Sequence, residues 1–186
     1  MKRVEPVRDK TKIAEVEALL RKHNRSPIYG DLWVFLNQTA ARVTDALALR
    51  FADFDKIEGN VLNLKEKKTD KTRSIMLTAK ALELVAQRRA HNPGHVYLFE
   101  VESNRAKGKP ISRVTVSAKF KEAGEILNLR IAAHTPRKNL GYHALQRGVS
   151  LPTLTKTYGH SSQAVTLAYC GIMDKDIKAV YEGIDY

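Results

Sequence analysis

Ile13, Val16, Leu19 and Leu20 fall on one face at helical spacing, which predicts a first helix from about Thr11 to Lys22. A second apolar stretch, from Ile28 to Gln38, predicts another helix that leads into Thr39-Ala40-Ala41-Arg42. Between residues 53 and 77 the pattern becomes strand-like. Val61-Leu62-Asn63-Leu64 and Arg73-Ser74-Ile75-Met76-Leu77 flank a polar turn, and Glu58-Gly59-Asn60 marks an earlier one, so a small antiparallel sheet is predicted. Helical spacing returns from Thr78 to about Ala90, ending before Asn92-Pro93-Gly94. Ser112 is a candidate cap for a further helix carrying Val116, Phe120, Ala123 and Leu127. The last third reads as helical, with Pro136 near a helix start and Gly148 near its end.

With 186 residues, 43% of them hydrophobic, the chain can bury one sizeable core. No Pro/Gly/Ser-rich linker divides it, and neither repeats nor low-complexity tracts interrupt it, so residues 1–186 are expected to form a single domain. No apolar run approaches the roughly 18 residues of a membrane span, and Met1-Lys2-Arg3 is not followed by an apolar signal core. A cytoplasmic location is expected. The single cysteine, Cys170, leaves no internal disulfide, and a packing role beside Tyr169 is expected for it.

Charge narrows the partner without naming a reaction. Lys and Arg number 32 against 20 Asp and Glu, a formal net charge of +12, and such a surface attracts polyphosphate. On charge alone, a ribosomal or other basic protein stays as open as a DNA enzyme. The chemistry lies in an ordered set: Arg42, Lys68, His134-Thr135-Pro136-Arg137, Gly159-His160 and Tyr169. Two guanidiniums can neutralise the non-bridging oxygens of a phosphate, while a lysine and two histidines can move protons or donate hydrogen bonds around a phenol nucleophile. Arginine suits the clamp because its planar fork presents paired donors and stays charged. The six histidines form neither a His-Glu-x-x-His motif nor a Cys/His cluster, and a phosphate-binding P-loop is missing, so neither a metal nor a nucleotide cofactor is expected.

In order and separation these elements resemble the tyrosine recombinase, or phage integrase, family from about residue 10 to the end. The resemblance is strongest from His134-Thr135-Pro136-Arg137-Lys138 through Tyr158-Gly159-His160-Ser161-Ser162 to Tyr169. The family usually has glycine where Ala40 stands, glutamate where Asp45 stands, and often proline in place of Met76. The resemblance implies an α+β, mainly α, catalytic domain with a small three-stranded antiparallel sheet. Too few residues precede Arg42 for the N-terminal core-binding domain that family members carry upstream, so none is expected in this chain.

The implied activity is site-specific DNA recombination through a 3′-phosphotyrosine intermediate, without a cofactor. Arg42, Arg137, His134 and His160 would surround the phosphate, Tyr169 would attack it, and Lys68 would protonate the leaving 5′ oxygen. Lys65, Lys67, Lys68 and Lys71 crowd one turn; Lys68-Thr69 matches the family's step best, with Lys71 second. His160 could instead be a core histidine capping a helix, whereas the resemblance implies that it hydrogen-bonds the phosphate. The implied partners are double-stranded DNA, further copies of the chain in a tetrameric synapse, and accessory DNA-bending proteins. A type IB topoisomerase-like enzyme, which rejoins the same strand, and a basic DNA-binding protein that keeps the fold without cutting remain alternatives. After Tyr169, Ile177, Val180 and Tyr181 share a helical face that could dock in cis or on a neighbouring protomer.

Overall fold

Helix α2 (Ile28–Thr39) is apolar on nearly every side, and a helix of that kind belongs inside a core rather than on its surface. Leu32, Trp33, Val34, Phe35 and Leu36 are all buried. The computed structural model describes residues 4–22, 24, 26–65, 72–103, 107–172, 176, 178 and 182. Helices α1 (Lys10–Lys22), α5 (Ala79–His91), α6 (Arg113–Ile126) and α7 (Thr135–Gln146) pack against α2. Trp33 fastens this centre: its indole N–H donates to the Ile13 carbonyl at 3.1 Å, and its ring meets the edge of Phe120 at 5.2 Å.

The remaining elements are two single turns, α3 (Val43–Ala46) and α4 (Phe51–Phe54), a hairpin of β1 (Val61–Lys65) and β2 (Thr72–Met76), and the closing pair α8 (Leu151–Tyr158) and α9 (Gln163–Cys170). Thr78, Ser112, Ser150 and Ser162 cap α5, α6, α8 and α9, each accepting a backbone N–H three residues on. Boundaries expected from the hydrophobic pattern agree with the observed helices to within a residue or two.

The sheet departs from expectation. Among the described residues it has two strands, not three, paired antiparallel from Val61 opposite Met76 to Lys65 opposite Thr72. Phe51 and Phe54, both buried and three residues apart, use the helical period, so the segment ahead of β1 coils as α4. Glu58 meets Val61 only in an isolated bridge that closes the Gly59-Asn60 turn.

Two apolar clusters result. The larger joins α1–α6 and the hairpin, and a smaller one of Ala40, Leu154, Tyr158 and Cys170 lies under α7, α8 and α9. Cys170 is fully buried in that smaller cluster, as its packing role requires. Among the described residues, no helix is long and apolar enough to cross a membrane.

Candidate active site

The α2–α3 junction positions the first arginine. Ala40 closes α2 in the left-handed conformation (φ 50°, ψ 25°), and Arg42 then stands at the N-cap of α3 in extended conformation. Its guanidinium lies 3.7 Å from the carboxylate of Asp45, which is buried within α3. Aspartate thus takes the supporting place of the family's glutamate.

Helix α7 brings in the second arginine. His134 is its N-cap and is exposed, while Arg137, one turn on, is buried with 3% of its surface accessible. Arg137 Nη1 donates to the Ala40 carbonyl at 2.7 Å and Nη2 donates to the Tyr158 carbonyl at 2.8 Å. Tyr158 answers by donating its hydroxyl to the Arg137 carbonyl at 2.7 Å. The guanidinium carbon lies 4.8 Å from the Tyr158 ring centre and 6.0 Å from that of Tyr169.

Gly159 ends α8 at φ 63°, a left-handed turn that glycine takes without steric cost, and this sends His160 back beside the helix it follows. The His160 ring stacks on Tyr158 at 5.1 Å and 16°, and meets Tyr169 edge-on at 5.1 Å. His160 Nδ1 lies 3.1 Å from the hydroxyl of Thr166, which lies 2.9 Å from that of Thr155. Thr155 can donate onward to the Leu151 carbonyl at 2.8 Å. If each hydroxyl donates along that chain, Nδ1 carries the ring proton and Nε2 is left as an acceptor.

Arg42, His134, Arg137, His160 and Tyr169 therefore converge from α3, α7, the α8–α9 turn and α9. Lys68 and its alternative Lys71 lie outside the described residues, between β1 and β2. The tail positions Ile177, Val180 and Tyr181 are also outside them.

Charge states follow from burial and from crowded cations. Burial, then the charges of Arg137, Arg42 and Arg73, holds His160 down at about 4, so it is neutral at pH 7. His134 is also shifted down, by desolvation of its inner side and then by Arg113, Arg137, Lys138 and Arg42. Arg137 itself is pulled down to about 10, first by burial and then by Arg73, and remains a cation. The phenol of Tyr169 is pushed up by burial, against the opposing pull of Arg137 and Arg42. It rests protonated at pH 7.

Three contributors had no assigned role in the sequence reading. Tyr158 packs its ring against both Arg137 and His160. Lys138, mostly buried, donates to the Val4 carbonyl at 2.6 Å and places its ammonium 5.2 Å from the Tyr169 ring centre. Arg73 reaches the site from β2. The signal for Arg73 was present: residues 73, 75 and 77 alternate inward, and a charge stands where an apolar side chain is due. Nothing in the pattern distinguished Tyr158 or Lys138 from neighbours of their kind.

The profile of the phage integrase family matches residues 11–175. The chain is 31% identical over 180 residues to the probable integrase/recombinase YoeC of Bacillus subtilis strain 168, spanning 96% of both proteins. It is 29% identical over 143 residues to the tyrosine recombinase XerC of Mesorhizobium japonicum, covering 76% of this chain and 46% of that protein. It thus spans nearly all of one curated relative and about half of the other. The crystal structure of XerA recombinase superimposes over 100% of this chain and 66% of its own, with a TM-score of 0.74 at 16% identity. XerH recombinase, in a post-cleavage complex with a palindromic difH substrate, covers 94% of this chain and 51% of its own, with a TM-score of 0.74 at 20% identity.

Proposed function

The chain belongs to the phage integrase family and is a tyrosine-type site-specific recombinase, and we propose that it cuts and rejoins DNA through an ester between Tyr169 and a 3′ phosphate. The observation that carries the assignment of the nucleophile is the Arg137 guanidinium lying against the rings of both Tyr158 and Tyr169, with Arg42 on the neighbouring turn. A scissile phosphate held by Arg137 and Arg42 would lie within reach of the Tyr169 oxygen. The tyrosine oxygen bonds to phosphorus as the bond to the 5′ oxygen breaks. His134 and His160, neutral at pH 7, are available to accept the phenol proton, and once protonated can donate to the phosphate. Lys68 is assigned the proton that the 5′ oxygen takes, a contribution worth roughly 10²–10⁴-fold. Because the ester retains the energy of the broken bond, a 5′-hydroxyl can reverse the step without a cofactor. Exchange between two duplexes needs several protomers on DNA, and a tetramer supplies one nucleophile for each of four strands.

The target sequence need not be known to test this. A labelled duplex library, randomised around a nick that lets the 5′ fragment escape, is incubated with the protein and run on a denaturing gel. Wild-type protein is expected to form a covalent adduct whose DNA defines the cleavage site, whereas Tyr169→Phe binds that DNA and forms none. An adduct that persists in Tyr169→Phe removes Tyr169 as the nucleophile; the lack of any adduct with wild type removes the reading altogether.

A further inference from the structure

Strand β2 carries a charge on its inward face. Leu62 pairs with Ile75 and Leu64 with Arg73, and Leu62, Leu64 and Ile75 are all buried. Side chains two apart on a strand share a face, so Arg73 extends inward with Ile75. Its guanidinium ends between two backbone carbonyls that are far apart in sequence. Nη1 donates to Thr157 at 2.7 Å and Nη2 to Ala40 at 3.3 Å.

The Ala40 carbonyl is also the acceptor for Arg137 Nη1, at 2.7 Å, and Arg137 Nη2 takes the Tyr158 carbonyl next to Thr157. Two guanidiniums thus share one acceptor and occupy adjacent carbonyls in the last turn of α8. Like charges this close repel. The unpaired carbonyls at a helix C-terminus carry partial negative charge that offsets part of the repulsion, and a bound phosphate would offset more. A surface arginine has no reason to be held in such a place; a group that sets the geometry of an anion clamp does.

We propose that Arg73 is a positioning residue of this active site: it ties the turn before Arg42 to the end of α8, and through the shared Ala40 carbonyl it sets where the Arg137 guanidinium lies. The role, which rests on the recombinase reading of the site, belongs to the fork of arginine and not to its charge alone. Two spaced nitrogens reach two carbonyls, whereas lysine offers a single nitrogen.

The test measures single-turnover cleavage of the captured nicked duplex by the full chain. Arg73→Lys, Arg73→Gln and Arg137→Lys are compared with wild type, together with the Arg73→Gln/Arg137→Lys double variant. Both Arg73 variants are expected to cleave roughly 10- to 100-fold more slowly, the scale of a misplacement near 1 Å, with DNA affinity held within about threefold. In the Arg137→Lys background, Arg73→Gln should add little further loss, because the group it positions is already gone. A purely structural role would not produce that coupling. Wild-type cleavage by Arg73→Lys, losses that multiply in the double variant, or unfolding of both Arg73 variants each overturn the proposal. Failure of wild type to form any adduct would instead sink the recombinase reading itself.

Discussion

Ala40 does more in this molecule than a methyl side chain suggests. Its left-handed backbone aims one carbonyl at both Arg137 and Arg73, and its methyl group is buried against Leu154, Tyr158 and Cys170. A non-glycine residue in that conformation costs about 1–2 kcal/mol. Glycine would relieve that cost, but would lose about 0.8 kcal/mol of buried methyl and about 0.5–1 kcal/mol of backbone entropy. The opposing effects nearly cancel, so Ala40→Gly should change the unfolding free energy by less than about 1 kcal/mol in urea titrations. Ala40→Val, whose branched side chain resists a positive φ, should destabilise by clearly more. A large gain in stability from glycine would mean that the Ala40 methyl packs against nothing of consequence. The resemblance had marked this position as a departure from the family, but only the structure shows that alanine can keep the turn and fill the small cluster at once.

At the scale of elements, the site depends on how closely α7 approaches α8 and α9. Gly141 is the contact point: a methyl group built there would lie 2.5 Å from the Tyr158 hydroxyl and 2.6 Å from the Cys170 sulfur. In an open helix, Gly→Ala would stabilise by about 1 kcal/mol. Here overpacking, typically about 1–3 kcal/mol, opposes that gain. Gly141→Ala is therefore expected to lower stability, and to slow adduct formation by pushing Tyr158 off the Arg137 carbonyl. Chemical denaturation and the adduct gel read the two effects separately, and a stabilised, fully active variant would contradict the packing account. Gly141 is an ordinary helical residue in the sequence, because period and propensity do not reveal which residue of α7 meets another helix. The cap Ser112 was legible for the opposite reason: a cap is bonded to a residue three places away and needs no partner from elsewhere.

Over the whole molecule, the N-terminal segment and the active-site helices form one connected unit. Val7 N–H donates to the Asn139 side chain at 2.7 Å, while Arg8 donates to the Gly171 carbonyl at 2.9 Å and pairs with Asp176 at 2.6 Å. The start of the chain thus braces α7 and the residues that follow Tyr169, and it does so in cis for Asp176. Proton linkage is also a property of the whole fold. His160 falls to about 4 from an ordinary 6.5, and His134 and His143 are also shifted down, loss of solvent around the ring being the first cause for all three, on one side only for the exposed His134. The unfolded chain therefore binds protons that the folded chain refuses between pH 6.5 and about 4. Stability should be fully present above that window and decline as the pH falls through it. Thermal melts from pH 7.5 down to about 4.5 should show the decline, and His160→Gln should lessen its slope. A melting temperature flat across this range would show that these rings are solvated like those of an unfolded chain.

The sequence by itself determined the longer helices, the hairpin, the basic character and the order of residues that marks the family. Those depend on local periodicity, on caps and turns, and on residue types whose order along the chain is a pattern in its own right. Only the tertiary structure decided that Arg137 and His160 both pack against Tyr158, whose carbonyl accepts from Arg137. It alone shows that Arg73 joins Arg137 on the Ala40 carbonyl. Each of these is a contact between segments with no periodic relation to one another, where a backbone acceptor in one element fixes a cation from another. A carbonyl carries no side-chain identity, so although an inward charge at Arg73 was legible in the strand pattern, the acceptors that hold the clamp in place could not be read from the order of the amino acids.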